Sequence, residues 1–202
     1  QIDRKRYALY MQNTVMNQQN LNVQEAQVLR LIVKNKVIKA VETANHQIIP
    51  AKSVVITPGT FLNGLIHIGM KSFDGGRIEE RQTSKELSDS LKSLRFRMLR
   101  FKTGTCARLD GKTIDFSKMR VQNGDEPPRP FSISTNKLEI KQIPCYITYT
   151  NKKTHTIICN NLNRSPLYTG KIIGTGVRYC PSLEEKVVKF SRRYYVKFRQ
   201  IP

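Results

Sequence analysis

The sequence predicts an α/β chain in two parts, and three observations carry that prediction. Residues 3 to 19 repeat apolar side chains at helical spacing. Residues 21 to 49 break into three short β-type runs divided by polar turns. A glycine-rich stretch, Gly64 to Gly76, then separates them from a longer region of mixed pattern. The boundary is placed near Asp74-Gly75-Gly76, giving parts 1–75 and 76–202.

In the opening helix Tyr7, Tyr10, Met11, Thr14 and Val15 share one face, which predicts burial of that face, and Asn17 to Asn20 end it. The β-type runs are Leu21 to Val33, Val37 to Thr43 and Gln47 to Ile49. Turns at Lys34-Asn35-Lys36 and Ala44-Asn45-His46 divide them, the pattern of an antiparallel meander. After Pro50, the apolar run Ser53-Val54-Val55-Ile56-Thr57 predicts a strand buried on both faces, stopping at Pro58-Gly59-Thr60. Helix, meander, buried strand and glycine turn follow the order found in the middle of the Rossmann-type FAD domain of glutathione-reductase-like, two-dinucleotide-binding flavoproteins. There a ligand lies beyond the carboxyl ends of the strands, where Gly59 and Thr60 fall. A strand followed by a glycine turn also occurs in most α/β proteins, so the pattern alone leaves both readings open.

In the second part, expected to be an inserted α+β domain, Thr83-Ser84-Lys85-Glu86 has capping-box spacing. Leu87, Leu91 and Leu94 share a face, which predicts a helix over 84–94. From 100 to 175 the pattern is short β-type runs and turns, among them Lys102-Thr103-Gly104-Thr105, Asp125-Glu126-Pro127-Pro128 and Cys145 to Thr150. A further helix begins near Pro181, a first-turn proline. Ser182 and Glu185 stand at capping-box spacing, and Leu183, Val187 and Phe190 share a face. Cys180 lies at or just before that amino end, where the helix dipole and Arg178 both favour thiolate over thiol. Such a thiol is a competent nucleophile or proton donor; a space-filling cysteine beside Pro181 is the alternative. Gly174 and Gly176 allow close backbone approach to a ligand, although the third glycine of G-x-G-x-x-G is absent.

Composition bounds the function. The 202 residues carry 35 Lys and Arg against 15 Asp and Glu, a formal charge of +20, with 39% hydrophobic residues. That is too apolar for a disordered basic tail. The basic residues cluster at Arg95, Arg97, Arg100 and Lys102, and again at Lys186, Lys189, Arg192, Arg193, Lys197 and Arg199. Such clusters suit a polyanion, whose binding would fall steeply with salt; a solvated surface fits the same charge. No apolar run reaches the roughly 18 residues of a membrane span, and the start resembles no secretion signal, so a soluble chain with no membrane partner is expected. The terminal residues, Gln1 and Pro202, fit a segment of a longer protein. The cysteines, Cys106, Cys145, Cys159 and Cys180, lack zinc-site spacing and are too sparse for a disulfide framework. Reduced thiols acting as small buried hydrophobes are expected.

Nine ordered blocks then carry a resemblance. They are Gln1-Ile2-Asp3-Arg4, Pro58 to Gly64, His67-Ile68-Gly69, Gly75-Gly76-Arg77, Lys102 to Thr105, Thr113 to Ser117, Pro144 to Thr148, Asn161 to Pro166, and Arg178 to Lys186. Together they closely resemble the MnmG (GidA) family of tRNA wobble-uridine modification flavoenzymes, from residue 1 to about 190. The resemblance implies a homodimeric FAD protein that works with the GTPase MnmE on tRNA. It would add a carboxymethylaminomethyl or aminomethyl group to C5 of the wobble uridine, with NADH as reductant and methylenetetrahydrofolate as one-carbon donor. Its setting would be the bacterial cytoplasm, or a mitochondrion or plastid.

Carried over by position, the resemblance implies FAD contacts at Val28 and Thr83. It also implies a nicotinamide-dinucleotide-binding segment formed by Gly176, Val177, Arg178, Tyr179, Cys180, Pro181, Ser182, Leu183, Glu184, Glu185, Lys186, Val187, Val188, Lys189 and Phe190. Cys180 matches one of the family's two functional cysteines. The family's amino-terminal G-x-G-x-x-G, its other functional cysteine and its carboxyl-terminal partner- and tRNA-binding helices have no counterpart here, so this chain alone is expected to be inactive. Cys106-Ala107 stand where members often carry prolines, and after Phe190 the family pattern is lost. A folate- and FAD-dependent tRNA uridine methyltransferase, or a non-catalytic basic RNA-binding module, is the alternative reading.

Overall fold

The structure, a computed structural model, describes residues 3–78, 82–104, 106–176, 182–189 and 195–199. It divides into two compact units, Gln1–Ile68 with Ser72–Met98, and Gly69–Lys71 with Leu99–Pro202.

The first unit opens with helix α1 (Arg4–Met16), whose N-cap Asp3 accepts a hydrogen bond from the Arg6 amide at 3.0 Å. The helix is where its periodicity places it, but its apolar face is not buried. Tyr7 is 54% and Tyr10 69% exposed, and no α1 residue is buried. Helical spacing reports an apolar stripe; burial needs a second surface against it, and no described element packs extensively on this one.

The meander forms as predicted. Strands β1 (Val28–Lys34), β2 (Val37–Thr43) and β3 (Ile48–Pro50) make an antiparallel sheet in that order, with Leu31 opposite Val41 and Val41 opposite Ile49. Asn35 and Lys36 both adopt left-handed backbone, φ 51 and 62, the geometry of a two-residue hairpin turn. The predicted strand over 53–57 has no ladder among the described residues, and Val55 is 87% exposed. An apolar run becomes a doubly buried strand only when neighbours on both edges supply hydrogen bonds, and none of the described strands pairs with it.

Strands β4 (Leu65–Ile68) and β5 (Lys71–Asp74) then form a hairpin pair. Helix α2 (Lys85–Ser93) follows and buries Leu87, Ser88 and Leu91, the face its leucine spacing predicts. It packs on β1, where the Ser90 hydroxyl accepts from the Leu31 amide at 3.1 Å. The helix thereby covers the strand edge that β2 does not pair.

The second unit starts at β6 (Phe101–Lys102) and continues to β7 (Arg120–Gln122) and β8 (Cys145–Tyr149). Helix α3 (Lys152–Cys159) comes next, in a region read from sequence as β-type runs and turns. Its β-branched Thr154, Thr156, Ile157 and Ile158 have low helix propensity. The Asn151 N-cap, accepting from the Thr154 amide at 2.9 Å, and packing on α4 outweigh that preference. Strand β9 (Thr175–Gly176), helix α4 (Leu183–Lys189) and strand β10 (Tyr195–Arg199) complete the unit. The helix expected near Pro181 is therefore present from Leu183, with Val187 buried at 3% exposure. Strand β10 pairs antiparallel with β8, Lys197 opposite Ile147. That sheet has the order β10-β8-β7.

Cys106, Cys145 and Cys159 are free thiols, as expected, but Cys106 and Cys159 are exposed rather than buried. Among the described residues there is no metal-ligand cluster and no helix long and apolar enough to cross a membrane.

Candidate functional site

Two groups of predicted site residues occupy the two units. In the first, a backbone knot holds the glycine turn. The Phe61 amide donates to the Pro58 carbonyl at 3.0 Å, the Gly64 amide to the Phe61 carbonyl at 3.3 Å, and the Gly75 amide to the Gly64 carbonyl at 3.1 Å. Thr83 ties this knot to the start of α2. Its hydroxyl accepts from the Gly64 amide at 2.7 Å and donates to the Phe61 carbonyl at 2.9 Å. The capping box expected from Thr83 and Glu86 therefore does not form. The N-cap is Ser84, without a side-chain cap bond, and the Thr83 hydroxyl is engaged upstream.

Glycine at 64 is required sterically: a Cβ there would overlap the Thr60 carbonyl oxygen and stand 2.6 Å from that of Gly75. Gly59 differs. It has φ +57, and a Cβ there would meet nothing within 4 Å, so its backbone faces open space. The Thr60 hydroxyl donates to the Gly76 carbonyl at 2.7 Å, and the Arg77 guanidinium lies 5.6 Å from the Phe61 ring centroid. Val28 opens β1, half-buried and opposite Thr43.

In the second unit β6 and β9 pair in parallel, Phe101 opposite Thr175 and Lys102 opposite Gly176. The close approach that Gly174 and Gly176 permit is made by the protein itself. A Cβ on Gly174 would stand 3.1 Å from the Arg100 carbonyl oxygen, and one on Gly176 3.2 Å from Lys102 Cε. Lys102 Nζ reaches Glu185 Oε1, on the first turn of α4, at 3.1 Å. Ser182, Leu183, Glu184, Glu185 and Lys186 are half-buried around that turn, and Val188 is exposed on the helix. Burial first, then the carboxylates of Glu185 and Glu184, hold the Tyr168 phenol above its ordinary pKa. Val177, Arg178, Tyr179, Cys180, Pro181 and Phe190 lie outside the described residues, so the predicted thiol site is represented by its flanks.

Sequence reasoning missed an open groove of about 1060 Å³ beside α3 and α4, lined by Tyr149, Thr150, His155, Cys159 and Val187. His155 Nε2 lies 2.8 Å from the Thr150 hydroxyl, itself 4% exposed. The signal was available in Asn151, whose side chain caps a helix that places His155 one turn on.

In sequence and in fold the chain resembles members of one family of known proteins. The family model described as "Glucose inhibited division protein A" matches residues 1–199. The tRNA uridine 5-carboxymethylaminomethyl modification enzyme MnmG of Thermodesulfovibrio yellowstonii is 56% identical over 190 residues, 94% of this chain and 30% of that protein. The enzyme of the same name from Nitratiruptor is 53% identical over 192 residues, again 94% of this chain and 31% of the relative. The chain thus spans about 30% of the length of the curated relatives it matches. Among solved structures, Aquifex aeolicus GidA superposes with a TM-score of 0.86 and 45% identity, over 99% of this chain and 35% of that one. The α/β architecture is thus shared with part of that structure, and the chain belongs to the glucose inhibited division protein A (GidA) family.

Proposed function

We propose that this chain works within a protein of its relatives' full length as part of an FAD-dependent tRNA-modifying enzyme. The reaction adds a carboxymethylaminomethyl or aminomethyl group to C5 of the wobble uridine. The observation that carries this reading is the 56% identity, over 190 residues, to an enzyme named for that modification. The finer parts rest on the family resemblance: the MnmE GTPase as partner, a homodimer, NADH, methylenetetrahydrofolate and the bacterial cytoplasm. Within that reading the first part, 1–75, is the middle of a Rossmann-type FAD domain, and 76–202 is an inserted α+β domain carrying the nicotinamide-binding segment.

The residues of the first unit fit a flavin dinucleotide. Gly59 leaves its backbone open to a ligand, and Val28 stands at the start of β1. Thr83 contributes in one way only. Its proton is donated to Phe61 and one lone pair is taken by Gly64, which leaves an acceptor for a hydroxyl or N–H of the cofactor. Bound FAD supplies redox capacity, reduced from NADH. Cys180 then acts at uridine C5 as nucleophile or proton carrier, favoured as thiolate by Arg178.

The test is the full-length protein with Cys180→Ser, read by mass spectrometry of tRNA nucleosides from cells. Loss of the modified uridine is expected. Normal abundance refutes the role of the thiol, a methyl adduct on the tRNA uridine of cells carrying the unmutated protein points to the methyltransferase reading, and a colourless protein with only salt-steep tRNA binding points to an RNA-binding module.

A further inference from the structure

Resting on the tRNA reading above, we infer that the groove beside α3 and α4 is a subsite for one unpaired nucleobase of the RNA, with Tyr149 as its stacking surface and His155 and Asn160 meeting the base edge. The groove lies wholly in the second unit. One stripe of α3, Lys152, His155, Thr156 and Cys159, forms a wall at the i, i+3, i+4, i+7 spacing of a single helix face. Leu162, Val187 and Val188 supply apolar surface, and Tyr149, 41% exposed at the end of β8, adds an aromatic ring.

The lining narrows the ligand. Among the described residues it carries one cation, Lys152, and no carboxylate, so a cationic ligand would find no counter-charge. The described residues also hold no cluster that could ligate a metal ion. Apolar walls with a few neutral polar groups suit a flat, uncharged ring. The polar groups are placed to meet one. His155 Nε2 lies 2.8 Å from the Thr150 hydroxyl, which fixes the imidazole, while no described residue bonds its Nδ1. The Asn160 backbone amide closes α3 by donating to the Thr156 carbonyl at 3.0 Å, and its exposed side-chain amide offers a donor and an acceptor side by side. That pair matches a Watson–Crick edge, which only an unpaired base has free. The phosphates attached to such a ring meet positive charge outside. Residues 140 to 183 contain no Asp or Glu, Lys153 follows Lys152, and Arg164 stands two positions after Leu162, both exposed. A base on an aromatic ring with its backbone along basic residues is how single-stranded RNA is held.

The experiment uses the full-length, FAD-loaded protein and an unmodified transcript of a tRNA with uridine at the wobble position. Cys159, an exposed thiol lining the groove, is the reporter: its alkylation by N-ethylmaleimide is followed by mass spectrometry of its own peptide. At about ten times its Kd, tRNA is expected to slow that alkylation about 10-fold by mass action, whereas a blunt RNA duplex and NADH leave it unchanged. At one fixed salt concentration Tyr149→Ala is expected to weaken tRNA binding about 10-fold, as loss of a stacked base does, and Tyr149→Phe to preserve it. Bound tRNA that leaves Cys159 alkylation unchanged overturns the inference. Equal slowing by the duplex also overturns it, marking a phosphate surface that no base enters, and slowing by NADH assigns the groove to the dinucleotide instead. A Cys159 that is unreactive in the free full-length protein overturns it too, the groove then being filled by the rest of the chain. So do Tyr149 variants that both weaken binding or both leave it intact. Should Tyr149→Ala not fold, the alkylation measurements, which need no variant, decide the matter. An unmutated protein that binds no tRNA refutes the proposed function itself, and the inference falls with it.

Discussion

Replacing Gly64 by alanine tests the backbone knot that shapes the first site. The added Cβ overlaps the Thr60 carbonyl oxygen and stands 2.6 Å from the Gly75 carbonyl oxygen and 3.1 Å from its carbon. All three atoms are backbone, so no rotamer change relieves the contact. The Gly64 amide is held by Thr83 and its carbonyl by the Gly75 amide, so displacing the residue also weakens those bonds. Overpacking of this kind costs about 1–3 kcal/mol and one lost hydrogen bond about 1 kcal/mol. The sum, about 3 kcal/mol, lowers the melting temperature of a domain of roughly 100 residues by about 15 °C. Gly59→Ala is the internal control. It adds no contact but forces alanine into left-handed backbone, at about 1–2 kcal/mol. Circular-dichroism melts of the two variants, with deuterium uptake assigning the transition to the first unit, make the comparison. A Gly64→Ala protein melting within about 3 °C of the parent, or above Gly59→Ala, would falsify the packing argument.

Other outcomes follow from the same geometry. Thr83→Val keeps the shape but removes both hydroxyl bonds, and should cost about 1–3 kcal/mol in urea unfolding, whereas Thr83→Ser should restore most of it; equal stabilities would show that the two bonds contribute nothing. Leu91→Ala, on the buried face of α2, should cost about 2–5 kcal/mol, while Tyr10→Ala on exposed α1 should stay within about 0.5 kcal/mol, measured by the same unfolding curves on this chain. Glu42 is held below the ordinary carboxylate pKa, first by its hydrogen bond from Arg30 Nε at 2.5 Å and then by His46. The native state thus binds the proton less readily than the unfolded chain. This contribution is complete above the ordinary Glu pKa and is lost as pH falls through the lowered one. Glu42→Gln should remove that part of the acid sensitivity, and parallel stability–pH curves for parent and variant would argue against the pairing.

Legibility in the sequence followed the range of the forces involved. The meander, α2 and α4 could be read because apolar spacing, turn residues and first-turn chemistry act within a few positions. The turn at Asn35-Lys36 and the leucines 87 and 91 are examples. Helix α3 was hidden because Thr154, Thr156, Ile157 and Ile158 favour strand locally, and only the Asn151 cap and contact with α4 reverse that preference. Thr83 was identified as a hydroxyl of interest, but its partners lie about twenty positions upstream, and no local pattern shows that its proton is already donated. Lys102 stood in a recognised block of sequence, yet its contact with Glu185 spans the unit and follows from strand pairing.

Sequence alone determined the family, the order of helices and strands in the meander region and the positive charge. All of these are encoded in residue identity and short-range spacing. Tertiary structure alone decided that α1 exposes its aromatic face, that 53–57 finds no strand partner among the described residues, that Gly64 and Gly176 are packed against other parts of the chain, and that Lys102 joins a strand end to a helix start. Each depends on which distant surface arrives within a few ångströms, and steric exclusion and charge pairing at that range leave no periodic trace in the chain.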